Sequence, residues 1–239
     1  MRKSSVNNPS AVPAIDAADV ARRFGASWVL RGITVRVAGG EVVGLLGANG
    51  TGKSTLLRLV ATLLRPHAGT IVVCGHDAVR NAPEVRRAVA YLAHQPGLYD
   101  DLTARENLDF AAAMLDRPRT EVDAALERVG LAIVANERVR GFSSGMQRRL
   151  AIARLVLQRP RVVLLDEPYS NLDAAGIHLM NSLIADWTET GVAALVVLHE
   201  LAPASRVLDR TVTIVDGRLA AKGEQVHRHP GAALRVSGS

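Results

Sequence analysis

The chain has 239 residues, 48% hydrophobic and 22% charged, with a formal charge of +6, one cysteine and only 3% aromatics. That length allows one domain, or one domain with a subdomain, and the core must be filled by Val, Leu, Ile and Ala. A lone Cys74 excludes an internal disulfide, and no apolar run reaches the roughly 18 residues that span a bilayer. The arginines are not blocked together with aromatics, so no nucleic-acid partner is expected.

Residues 1–13 are polar, contain Pro9 and Pro13, and read as a flexible tail without a signal peptide. Ile15–Val20 and Ile33–Val37 read as strands, the second with clean alternation. Phe24, followed by Gly25, falls just outside the first. It is either core or a flat face for a nucleotide base, and both remain open here. Ala38-Gly39-Gly40 turns into Val42–Leu46, a buried strand. Then comes Gly47-Ala48-Asn49-Gly50-Thr51-Gly52-Lys53-Ser54-Thr55, which fills every fixed position of the phosphate-loop pattern G-x-x-x-x-G-K-[ST]. Gly47, Gly50 and Gly52 permit positive φ and close approach to a phosphate. Successive backbone N–H groups can form an anion cradle. Lys53 suits the β- and γ-phosphates, and the Ser54 hydroxyl suits Mg²⁺. Ser54–Leu64 reads as a helix whose N-terminal dipole faces the same anion.

Arg65–Gly69 stops that helix, and Thr70–Cys74 and Ala88–Ala93 read as strands. The latter leads into His94-Gln95-Pro96-Gly97, either a plain turn or a loop that aims Gln95. From Leu98 to Leu157 the texture is helical. A capping box, Thr103 to Glu106, opens one helix; Thr120–Val129, closed by Gly130, is a second; Gly141–Gln147 opens a third. Ser143-Ser144-Gly145 at that start is either an ordinary N-cap or an anion site.

Val162–Leu165 is fully apolar, so it belongs in the middle of a parallel sheet. It ends in Asp166-Glu167-Pro168, and ligands of such sheets bind at the strands' carboxyl ends. There Asp166 suits Mg²⁺, directly or through water, and Glu167 suits orienting or deprotonating a water. The alternative, a pair of solvated acids, loses weight beside a phosphate loop. Ser170–Asp173 is expected to start a helix running to about Thr190, capped by Gly191. Val192–Leu198 is the next buried strand, which puts His199 at the same edge as Gln95 and Asp166. A histidine there suits phosphate sensing more than a surface role. Thr211–Val215, the Asp216-Gly217 turn and Arg218–Ala221 form a closing hairpin. His227 and His229 lie in a loose tail and are not read as a metal site.

In this order the motifs resemble the ATP-binding subunit of ABC transporters, from about Ile15 to Gly223. The resemblance implies an α/β fold: a P-loop NTPase with an ABC-type ATPase core, a mostly parallel central sheet, an N-terminal antiparallel β-subdomain and an inserted helical subdomain. The expected division is a tail at 1–13, an ATP-binding domain at 14–226 and a tail at 227–239. Within the domain, 14–95 and 160–226 form the core and about 96–159 the helical insert. It further implies that Phe24 stacks on adenine and that Gly47 through Thr55 bind ATP. Asp166, with Ser54 and Gln95, would hold Mg²⁺, Gln95 also sensing a membrane subunit. Glu167, His199 and Gln95 form the implied catalytic set, with Glu167 as catalytic glutamate and His199 as switch histidine.

Phe142–Met146 resembles the signature sequence of this family. Ser143, Ser144 and Gly145, with Asp173 of the Ser170–Asp173 loop, would reach the ATP of an opposite subunit. The usual Leu-Ser-Gly-Gly-Gln is altered at Phe142, Ser144 and Met146 and kept at Ser143 and Gly145. The implied partners are integral membrane permease subunits and a second ATPase subunit, expected as a homodimer, with ATP as substrate. The implied place is cytoplasmic, on the inner face of the cell membrane. More narrowly, His94-Gln95-Pro96-Gly97, Leu102-Thr103-Ala104, Glu106-Asn107-Leu108 and Gln147-Arg148-Arg149 resemble the haem exporter ATPase of cytochrome c maturation. Drug, lipid and polysaccharide exporter ATPases share parts of that pattern. A soluble ABC-type ATPase acting on DNA or the ribosome is disfavoured, since neither a long coiled coil nor a second cassette is present.

Overall fold

A computed structural model describes residues 12–220. The expected tails, His227, His229 and the end of the closing hairpin at Ala221 lie largely or wholly outside that range.

The chain begins with β1 (Ile15–Phe24) and β2 (Ser27–Val37), an antiparallel pair joined by a tight turn at Gly25, whose φ is +56°. β4 (Ala68–Val73) and the short β5 (His76–Asp77) complete an antiparallel sheet in the order β2-β1-β4-β5. A second sheet holds β3 (Val42–Leu46), β6 (Val89–Leu92), β7 (Val162–Asp166), β8 (Ala193–Val197), β9 (Arg210–Val215) and β10 (Arg218–Leu219), in the order β10-β9-β3-β8-β7-β6. Every pairing from β9 to β6 is parallel; only the β9–β10 hairpin is antiparallel.

The apolar runs of β3, β7 and β8 are explained by burial on both faces. Val163, Leu165, Ala194 and Val196 face one core; Val162, Leu164, Ala193, Leu195 and Val197 face the other. The first core is closed by α3 (Ala104–Met114), α4 (Arg119–Arg128), α5 (Ser144–Gln158) and α6 (Ala174–Glu189). The second lies between the two sheets and is filled by α1 (Lys53–Val60), through Leu56, Leu57, Leu59 and Val60. The three helices α3 to α5 are inserted between β6 and β7, strands that are neighbours in the sheet.

Several elements differ from their expected bounds for visible reasons. β1 runs on to Phe24 because an irregularity at Ala17–Ala21, with Asp19 at φ +51°, resets the alternation without ending the pairing to β2. α1 stops at Val60, not Leu64: Thr62 is left-handed at φ +61°, and Leu63 N donates to Arg58 O at 2.8 Å in a C-terminal turn. A short helix that the sequence did not suggest, α2 (Ala82–Ala88), opens with Pro83 in its first turn. Residues 170–173 do not begin a helix. Asn171 is left-handed at φ +62°, and α6 starts after Asp173, whose Oδ1 accepts from Gly176 N at 2.8 Å as its N-cap.

Candidate functional site

Four neighbouring parallel strands, β3, β8, β7 and β6, deliver their carboxyl ends to one edge of the sheet. Each ends in a polar segment: the phosphate loop after β3, His199 after β8, Asp166-Glu167 at β7, and His94-Gln95 after β6. The site is therefore built by topology before any side chain is considered.

The loop after Leu46 has the backbone that an anion cradle needs. Gly47, Gly50 and Gly52 all have positive φ, at +144°, +79° and +104°. At Gly47 a Cβ would stand 2.4 Å from Ile214 O, and at Gly52 it would stand 2.5 Å from Leu30 Cδ2, so both close contacts and conformation demand glycine. Gly52 is the N-cap of α1, with no side-chain cap and no acidic residue in the first turn, so no side chain of the helix itself occupies its first N–H groups. Lys53 is only 6% exposed. Its Nζ donates to Gly47 O at 2.7 Å and Ala48 O at 2.9 Å, which folds the ammonium over the mouth of the loop.

Ser54 Oγ donates to Asp166 Oδ1 at 3.0 Å, and Tyr91 Oη donates to Asp166 Oδ2 at 3.3 Å. Asp166 is 1% exposed, a carboxylate kept in the core by these two hydroxyls. Burial, with the Asp166 charge next, raises the Tyr91 phenol above its ordinary value and so keeps it a donor. A hydroxyl and a carboxylate beside a phosphate loop are hard oxygen donors of the kind Mg²⁺ takes together with substrate phosphates, so the residues present fit that ion.

Glu167 sits at φ +51°, in the left-handed region, as the chain leaves β7. Both of its carboxylate oxygens are engaged by imidazoles. His199 Nε2 lies 2.6 Å from Oε1, and His94 Nδ1 lies 3.2 Å from Oε2. Ser170 Oγ is 3.5 Å from Oε2. Behind the two acids lies Arg148 of α5, 2% exposed. Its guanidinium donates to Asp166 O at 2.8 Å, Glu167 O at 2.6 Å, Ala93 O at 2.7 Å and, more weakly, His94 O at 3.3 Å. Burial lowers its pKa to about 10, so it stays charged at neutral pH.

The structure thus joins Lys53 to its loop, Ser54 to Asp166, and Glu167 to His199. Gln95 is exposed on the loop just beyond this cluster. Phe24, the last residue of β1, is 47% exposed, with the Arg22 guanidinium 4.9 Å from its ring centre. Ser143 is the N-cap of α5, its Oγ accepting from Met146 N at 3.2 Å. Ser144 is exposed beside it, and Gly145 packs so tightly on Asn171 that a Cβ would stand 3.0 Å from that carbonyl oxygen. Asp173 caps α6 and pairs with Arg149 at 2.6 Å. α5 packs on α3, α4 and β6, whereas α1 packs on β7, β8, β2 and β4, so the signature-like segment and the phosphate loop belong to different layers.

Tyr91 was not singled out from the sequence, and His94 and Arg148 entered only as members of resembling segments, with no role in the site. Arg148 did leave a signal: it stands at an apolar position of its helix, one turn before Ile152 and two before Leu155. Tyr91 is one of only three tyrosines and sits mid-strand.

The family model described as ABC transporter matches residues 30–170. A cytochrome c biogenesis ATP-binding export protein, CcmA, of Xanthomonas axonopodis pv. citri is 40% identical over 206 residues, 86% of this chain and 95% of that protein. The daunorubicin resistance ATP-binding protein DrrA3 of Streptomyces coeruleorubidus is 38% identical over 213 residues, 87% of this chain and 67% of that protein. Among solved structures, a dimeric ATP-binding cassette in a post-hydrolysis state, bound to ADP and phosphate, superposes with a TM-score of 0.79 at 26% identity, covering 90% of this chain and 99% of that one. With the phosphate loop, the paired acids and the sheet edge that gathers them, this chain belongs to the ABC transporter family, as an ATP-binding subunit.

Proposed function

We propose that the chain hydrolyses ATP to power export through separate integral membrane subunits. The observation that carries this reading is Glu167. It stands at the carboxyl end of β7, next to the Asp166–Ser54 pair, and is held by His199 on the same edge as the phosphate loop. In the reaction a water attacks the γ-phosphorus and the bond to the bridging oxygen breaks. Glu167 takes the water's proton, ADP leaves, and the phosphate is released.

The loop N–H groups and Lys53 stabilise charge on the phosphates, and Phe24 stacks on the base. Ser54, Asp166 and Gln95 would hold Mg²⁺, which when bound neutralises phosphate charge. His199 orients Glu167 and responds to the γ-phosphate. Ser143, Ser144, Gly145 and Asp173 complete the site of a second, identical subunit. The separation of their layer from the phosphate loop and the dimeric form of the similar cassette support this.

The membrane partner is supported by an apolar groove of about 320 Å³ that begins two residues after Gln95. It is lined by Gly97, Tyr99, Phe110, Met114, Leu115 and Arg154. Among the described residues no helix is long and apolar enough to cross a membrane. Such a chain works on the inner face of the cell membrane.

Glu167→Gln tests the core of the proposal. Steady-state phosphate release should fall by at least about a hundredfold, the usual worth of a general base, while ATP binding persists. Undiminished turnover would remove Glu167 from the role.

For the cargo we propose haem, destined for cytochrome c maturation. The His94–Gly97 and Leu102–Leu108 segments and the similarity to the cytochrome c biogenesis protein support it. Deletion of the gene should then erase c-type cytochromes from a haem-stained gel. Normal cytochromes together with drug sensitivity would favour the second reading, a drug exporter like the daunorubicin resistance protein.

A further inference from the structure

The contact between His94 and Glu167 has no counterpart in the role just given to His199. We propose that His94 is a latch: it holds the Glu167 carboxylate at rest until the loop that carries it moves. The inference rests on Glu167 being the base.

Each carboxylate oxygen faces one ring nitrogen, Oε1 at 2.6 Å from His199 and Oε2 at 3.2 Å from His94. The carboxylate plane is therefore fixed between two imidazoles. Turning an oxygen squarely onto an attacking water means giving one of them up. His94 is the one built to let go. Its contact is the longer, and its side chain is 61% exposed against 44% for His199.

The loop that bears His94 is grasped by one helix. Arg148 binds the carbonyls of Ala93 and His94, and Arg154 binds those of Pro96 at 2.9 Å and Gly97 at 2.8 Å. Both arginines belong to α5, whose first residues are the signature-like Ser144 and Gly145. Arg148 also donates to Asp166 O, Glu167 O and, at 3.4 Å, Pro168 O, so the segments after β6 and β7 are both anchored on α5. Arg154 and Gly97, the loop residue it holds, both line the adjoining groove, so a displacement of the loop carries His94 away from Glu167, and Glu167 is freed when that groove engages a membrane partner. In the free chain the latch keeps turnover low.

Steady-state ATPase of the purified full chain tests this. His94→Ala should raise kcat roughly two- to tenfold, the factor one ordinary hydrogen bond is worth, with KM for ATP little changed. His94→Phe, which keeps a ring and loses both nitrogens, should do the same. His94→Asn, whose Nδ2 falls near the place of Nδ1, should restore the low rate. A residue that merely supported the loop would lower kcat on removal, and Asn would not rescue it. Equal or lower kcat in both His94→Ala and His94→Phe, with binding of a fluorescent ATP analogue retained, overturns the latch. Glu167→Gln separates the two levels. If it is inactive while the His94 variants are not activated, only the latch fails; if it still turns over, the base reading fails and the latch with it.

Discussion

Gly47 occupies a place where no side chain fits. Its φ of +144° is outside the usual range of L-residues, and an added Cβ would stand 2.4 Å from the backbone oxygen of Ile214. That oxygen belongs to β9, a strand of the same sheet, and cannot swing away as a flexible side chain would. Gly47→Ala should therefore destabilise the fold by about 1–3 kcal/mol, the usual cost of a forced backbone conformation, read as a shift in the urea midpoint. ATP binding should fall with it. Arg148 shows the opposite kind of constraint. A buried guanidinium is tolerable because carbonyl oxygens at the ends of β6 and β7 receive its donors. At this scale the sequence was legible where chemistry fixes residue type at fixed spacing, as in Gly47–Thr55 and Asp166-Glu167. It was silent where a contact joins distant segments. Nothing local announces that His94 will meet Glu167 or that Arg148 will meet Ala93, because those pairs form only when β6 and β7 lie side by side.

α3 is the element whose start is most completely written in the chain. Thr103 Oγ1 accepts from Glu106 N at 3.1 Å, and Glu106 returns the contact to Thr103 N at 2.7 Å, closing a reciprocal cap. Thr103→Ala should cost about 1 kcal/mol of stability at neutral pH, measured by thermal or urea unfolding. The Thr103 backbone N–H holds the Glu106 carboxyl below its ordinary value. The contribution of that carboxylate is therefore present above the ordinary carboxylate range and is lost as pH falls through the lowered value. Elements with strong local signals matched their expected places closely: β3, α3, β7 and β8. α2 escaped because seven residues with a proline give too little periodicity to see. The helix expected from Ser170 starts later because Asn171 takes a left-handed turn and Asp173 supplies the N-cap.

At the scale of the whole molecule, two cores share one parallel sheet, with the phosphate-loop helix in one and the signature-like helix in the other. In the proposed reaction these two layers carry the two half-sites, so that reaction would need a partner copy. Glu167→Gln should then trap the closed pair, and size-exclusion chromatography with ATP and Mg²⁺ should show a dimer that disperses when nucleotide is removed. A monomer under those conditions would count against the shared site.

The helices α3 to α5 leave the sheet at β6 and return at its immediate neighbour β7. The chain leaves β6 at Leu92 and enters the parallel β7 at Val162, three residues back along the register, so the two attachment points are roughly 11 Å apart. Closing a detour between two such points carries an entropy that grows only with the logarithm of its length. Evolution can lengthen, shorten or resurface this excursion while the strands that carry the chemistry keep their register.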